Sequence, residues 1–314
     1  LSAVFMDSSG NDFLSQYKSI SNKLKKRFLR KPNVAEPSDQ FGALGVQCER
    51  DEMPQYAGLC YLAVSRCEAA LNNPTGEAWA QVKAGRQFLQ AHNQQESGGL
   101  VEPGGELLEA AVSSLGRAGL LWPSEPERFL AAGLALETGA VLRTDSPNQS
   151  AASLVSAASL LAEHPPLQLH ALRDLASCRI RMGDLDGALS VLSQTVAVVE
   201  TIADPPFGVY ADILLSCEVS RILLLLLLRP PPQLLPAHLT AVLERYSWLG
   251  DTTDCPVPWM CEELYTTLQS LVMACQSQDS HSLLSVEGEL WRHLDSLQRT
   301  LLRCLVDTVT LADN

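Results

Sequence analysis

Seven consecutive aliphatic residues, Ile222–Leu228, lie in the segment Ser216–Pro232, which reads SCEVSRILLLLLLRPPP. In a helix such a run is apolar on every side, so neighbouring helices or a partner must surround it. Arg221 and Arg229 bracket it, and it falls far short of the ~20 residues needed to cross a bilayer. Extending it backwards meets Glu218 and Asp212. The run is therefore expected to be a buried helix end, with other helices covering it. Glu218 and Arg221 stand three apart and can pair along the helix, which lowers the cost of placing charge beside an apolar core.

The rest of the chain fits that demand. Leu and Ala recur throughout, and few stretches alternate with the period of a strand. An all-α fold is expected, a tetratricopeptide-like solenoid of helical hairpins. With 314 residues, the array would form one domain. N-terminal helices would occupy residues 11–123, degenerate repeat hairpins 124–204 and C-terminal helices 205–314. Phe13, Tyr17, Ile20, Leu24 and Phe28 make a narrow apolar stripe on a helix beginning at Asn11 or Asp12 and running to Pro32. Further helices are expected at about Pro37–Cys48, Pro54–Leu71 and Gly76–Ala91. The polar, Gly-rich stretch Asn93–Gly105 reads as a loop. Its Gly-Gly pairs lack the following Lys-Ser/Thr of a phosphate cradle.

In the middle third, Ser124–Arg143 with Ser150–His164 reads as one hairpin, and Leu169–Met182 with Asp186–Thr201 as the next. The second carries GDLDGAL, Gly183–Leu189, in which Gly183 turns the chain, Asp184 caps and Ala188 admits a close neighbour. Aligning Ala151 with Ala188 gives an offset of 37 residues against the ideal ~34, so Pro165–Leu167 reads as a three-residue insertion. Helices at Val209–Leu228, Leu235–Leu249, Pro258–Gln276, His281–His293 and Asp295–Thr310 complete the expectation.

Residue chemistry points away from catalysis. Six scattered histidines form no metal motif, and the pairs Cys255/Cys261 and Cys60/Cys67 have the wrong spacing for zinc. Cys60 and Cys67 share a helix face and are expected in the core. Nine cysteines, an odd number, read as buried free thiols in a reducing compartment. No catalytic set, metal or cofactor is expected. An enzyme assembled from distant Cys and His residues is the weakest alternative.

Charge sharpens the candidates for binding. A net charge of −13 argues against nucleic acid, whose affinity comes from neutralised phosphates. Against that background residues 18–31 hold seven cations and no acid. Lys23, Lys25, Lys26, Arg27, Arg30 and Lys31 are the candidate basic contacts, for a partner or an anionic membrane. The same pattern also fits a solvated face docked on an acidic body. Glu218 and Arg221 are candidates on the apolar helix. Asp251, Asp254, Glu262 and Glu263, with Glu244, form an acidic group that could meet a basic partner surface.

Four strings carry a resemblance: NKLKKRFLRKPNVAE (Asn22–Glu36), CEVSRILLLLLLRPPPQLLPAHL (Cys217–Leu239), ERYSW (Glu244–Trp248) and LQSLVMACQSQDS (Leu268–Ser280). Through them the chain resembles the family of the forty-kilodalton huntingtin-associated protein, also described as factor VIII intron-encoded. The resemblance implies a non-enzymatic adaptor that binds huntingtin between its helical-repeat domains and stabilises it. It also implies an effector of an early-endosomal Rab GTPase that moves endosomes between microtubule and actin tracks. The location implied is cytoplasmic and early-endosomal, with a nuclear pool. The chain departs from the family where a proline-rich insert is expected, having only Asp204–Gly208 there. The alternative function is a peripheral membrane-trafficking module that binds anionic lipid or a small GTPase through the basic helix.

Overall fold

The structure is a computed structural model that describes residues 2–25, 33–99, 105–122, 128–202, 207–231, 233, 235–247, 257 and 260–312, with side chains from residue 12 onward. Among the described residues there are fourteen α-helices and no strand. The all-α solenoid expectation holds. Packing groups the chain into two compact units, Leu1–Val141 and Leu142–Asn314.

Unit 1 contains α1 (Ser2–Leu24), α2 (Ala35–Arg50), α3 (Pro54–Ala70), α4 (Pro74–Ser97), α5 (Glu106–Leu120) and α6 (Arg128–Val141). Each helix packs on its neighbour in sequence, the pattern that short connections impose. The apolar stripe of α1 behaves as its spacing requires. Phe13 stacks on Tyr56 of α3 at 4.4 Å between ring centroids, and Tyr17 on Phe41 of α2 at 5.0 Å. Phe28 lies outside the described residues. Helix α1 starts earlier than Asn11, and α4 runs on to Ser97, six residues past the expected end.

Local chemistry explains the starts in this unit. Pro54 and Pro74 occupy first-turn positions where their missing N–H costs nothing. The Asn73 side chain accepts from the Gly76 N–H at 3.1 Å. Glu77, buried in the first turn of α4, takes Nε and Nη2 of Arg117 on α5, at 3.0 and 2.6 Å. At Gly58 a Cβ would lie 2.6 Å from the Phe88 ring, so α3 and α4 approach as closely as they do only because the side chain is absent.

Unit 2 contains α7 (Pro147–Leu160), α8 (Pro165–Arg181), α9 (Leu185–Ile202), α10 (Val209–Leu228), α11 (Ala237–Arg245), α12 (Glu262–Ser277), α13 (Ser280–Leu290), a 3₁₀ turn at Trp291–His293 and α14 (Ser296–Ala312). Here α7, α8, α9 and α10 stack in order. Then α10 becomes a hub, with α11, α12 and α14 also packed on it. The run Ile222–Leu225 is almost wholly buried, as its uniform apolarity requires. Gln298 of α14 ties the hub by donating from Nε2 to the Ser216 carbonyl at 3.1 Å and to Ser220 Oγ at 3.1 Å.

The repeat reading holds at the hairpin of α8 and α9. Between α8 and α9, Gly183 takes φ +78° and the Asp184 carboxylate accepts from the Gly187 N–H at 2.9 Å, while Ala188 is fully buried. Of the expected preceding hairpin, α6 belongs to unit 1, where it packs on α5, and α7 to unit 2, where it packs on α8. Pro165–Leu167, the segment behind the longer repeat offset, is helical. These residues form the first turn of α8, where proline begins a helix instead of ending the one before. Among the described residues, α9 alone is long and apolar enough to cross a membrane by composition. Its Val199 packs with Leu169 of α8 and Leu214 of α10.

Candidate binding surfaces

Two concave surfaces in unit 2 and one basic helix in unit 1 carry the residues of interest. The first surface is a groove of about 640 Å³, walled by α8, α9, α10 and the start of α14. Leu169, Ile213 and Leu297 give it an apolar floor, and Arg173, Arg181, Asp212 and Asp295 line it with both signs of charge. Val209, 70 % exposed, stands in its wall, and Phe207 two residues earlier is 68 % exposed. Large apolar side chains this open to water, beside a groove, are the usual mark of a contact surface.

The second surface is a cleft of about 490 Å³ between α9, α10 and α11. Its base is the expected Glu218–Arg221 pair. The Glu218 Oε2 to Arg221 Nη1 distance is 3.6 Å, and both side chains are more than nine-tenths buried. A third member, Arg245 of α11, puts Nη1 3.3 Å from Glu218 Oε1. Burial pushes the Glu218 carboxyl up from its ordinary range, while the two guanidinium groups pull it back. Helical spacing revealed Glu218 and Arg221. Arg245 lies 24 residues beyond Arg221, so only the packing of α11 on α10 brings it in.

The basic helix is partly spent on internal contacts. Lys23 donates to Glu36 Oε1 and to Gln40 Oε1 of α2, both at 2.9 Å. That ion pair holds the exposed Glu36 carboxyl below its usual range. Lys18 and Lys25 are exposed. Lys26, Arg27, Arg30 and Lys31 lie outside the described residues. The acidic group also divides. Glu244 and Glu262 are exposed, whereas Glu263 pairs with Arg292 and lies 3.8 Å from His293. Asp251 and Asp254 lie outside the described residues.

The thiols correct one expectation. Cys48, Cys60, Cys67, Cys178 and Cys217 are buried, but Cys261 and Cys304 are exposed. Cys60 and Cys67 are core residues, as their shared face suggests.

These features define an all-α protein of packed helices, with grooves and exposed apolar side chains as candidate contact surfaces. A scan against models of known protein families gives no match. The 40-kDa huntingtin-associated protein of mouse is 37 % identical over 360 aligned positions, covering 95 % of this chain and 93 % of the mouse protein. The rat protein of the same name is 36 % identical over the same shares. The chain therefore belongs to the family of the 40-kDa huntingtin-associated protein. Because 360 positions exceed the 314 residues here, the relatives hold segments without a counterpart in this chain. Of the short segment Asp204–Gly208, residues 204–206 lie outside the described residues.

Proposed function

We propose that this chain is a non-enzymatic adaptor that binds and stabilises huntingtin, and that the groove of α8, α9, α10 and α14 supplies part of the contact. Membership of a family whose curated members are named for association with huntingtin carries the reading. The physical support is the groove, with Val209 and Phe207 exposed at and beside its wall. Burying such side chains on binding contributes roughly 1.5–3 kcal/mol each, enough for affinity without a reactive centre.

As the second half of the proposal, the bound complex acts as an effector of an early-endosomal Rab GTPase. Its home is the cytoplasm and the early endosome, with a nuclear pool. Tagged chain should co-purify with huntingtin from cells expressing both, and the complex should survive high salt because apolar burial is not screened. The double variant Phe207→Asp, Val209→Asp should lower recovery at least tenfold while leaving circular dichroism unchanged. Failure of the parent chain to recover huntingtin would sink the function; full recovery by the double variant would remove the groove from it.

Exposure of Lys18 and Lys25 on α1 favours a second role, contact with anionic lipid. Flotation with vesicles containing phosphatidylserine should then fall several-fold in the variant Lys18→Gln, Lys25→Gln, and at raised salt. Equal flotation of variant and parent would dismiss these two lysines as lipid contacts.

A further inference from the structure

We infer that the cleft between α9, α10 and α11 binds a carboxylate borne on a short apolar stem, with Arg221 as the residue that receives it. This inference does not rest on the huntingtin proposal. The cleft holds two guanidinium groups and, at its base, one carboxylate, because Glu218 is shared by Arg221 and Arg245. At that base two guanidinium groups share one carboxylate, while Glu200 and His238, both exposed, line the margin.

Arg221 is the member left short. Its side chain is 7 % exposed, its contact with Glu218 at 3.6 Å exceeds hydrogen-bond length, and its buried Nε has no hydrogen-bond partner. A buried donor without an acceptor is costly, and a guanidinium offers its Nε and Nη hydrogens as a fork matched to two carboxylate oxygens. A second carboxylate would therefore give the orphaned donor its acceptor.

The walls determine what is attached to that carboxylate. Val196 and Ala197 of α9, Leu214 of α10 and Val242 of α11 face the same cavity of about 490 Å³. They fit an aliphatic stem of a few carbons. Glu200 at the margin and Glu218 at the base are both acidic, which favours a singly charged group over a dianionic phosphate. Two sources share this chemistry: the acidic side chain of a docked peptide and a free short-chain acid.

The test titrates the 314-residue chain with hexanoate, hexanamide, inorganic phosphate and a capped Leu-Glu-Leu peptide, following amide resonances or calorimetric heat. Saturable binding of hexanoate or of the peptide is expected, and which of them binds identifies the source. Glu218→Gln should tighten carboxylate binding by about tenfold, since it removes the competing negative charge. Arg221→Gln should weaken it at least tenfold. Because the second variant also leaves Glu218 short of a partner, Glu218→Gln keeps the inference open to refutation if Arg221→Gln fails to fold. Binding of neither probe overturns it, as does equal binding of hexanamide or phosphate. Weaker carboxylate binding by Glu218→Gln would overturn it too.

Discussion

Alanine at Leu223, Leu224 or Leu225 is expected to destabilise unit 2 by about 2–5 kcal/mol in each case, read as a drop in urea midpoint. The three positions point in directions about 100° apart around α10. On a one-sided helix at least one of them would meet water and cost little. Here all three are at most 1 % exposed, because α9, α11, α12 and α14 all pack on α10. Each truncation removes three carbons from a filled interior and leaves a void that close-packed neighbours only partly refill. Leu227, half-buried at the end of the run, should cost less. A loss below about 1 kcal/mol at any of the three would refute the hub arrangement.

Alkylation of the native chain at pH 8 should divide the cysteines by orders of magnitude. Iodoacetamide attacks the thiolate, so both access and thiolate fraction control the rate. Burial pushes the Cys60 and Cys217 thiols from an ordinary 9.0 to about 12. At pH 8 that lowers their thiolate fraction about a thousandfold, before any steric protection. Cys48 and Cys67 are raised by burial as well. Exposed Cys261 and Cys304 should label first, Cys275 at about 11 more slowly, and Cys60 and Cys217 only on unfolding.

The same shifts fix the direction of the pH dependence. The unfolded chain releases these protons near pH 9, while the folded chain holds them to about 12. Their stabilising contribution is complete below the unfolded value and is lost as pH climbs from it towards the folded one. The melting temperature should therefore fall between pH 8 and pH 11. Mass spectrometry showing Cys60 or Cys217 modified as fast as Cys304 in the folded chain would contradict the buried assignment.

Features encoded within a few residues were legible before the fold was known. The α10 run declares its own burial, the GDLDGAL turn declares its cap, and the Phe13–Leu24 stripe declares a docked face. Readings that required partners were less secure. Helix α8 starts at Pro165, four residues before the Leu169 expected from the pattern, because proline both ends and begins helices and only the path of the chain shows which. Helix α5 went unassigned in the sequence, although Ala111, Leu115 and Ala118 recur at helical spacing and are all buried. The pairing of α6 with α5 followed from tertiary packing that no local pattern reports. At the cleft, Glu218 and Arg221 were visible as neighbours on one helix. Arg245 was not, since ion pairs between helices leave no periodic trace. The thiols of Cys261 and Cys304 are expected inside from the general habit of cysteine, and lie outside because Cys261 sits at the N-cap of α12 and Cys304 on an exposed side of α14.

The hub has a consequence for synthesis. Helix α14, which helps cover α10 and holds Ser216 and Ser220 through Gln298, leaves the ribosome well after α10 does. At ~5–20 residues per second, the stretch from Leu228 to Ser296 takes roughly 3–14 s to translate. For that interval the leucine run is complete but only partly covered, a natural substrate for a ribosome-associated chaperone. Nascent molecules are thus most prone to aggregate in the interval before α14 is made.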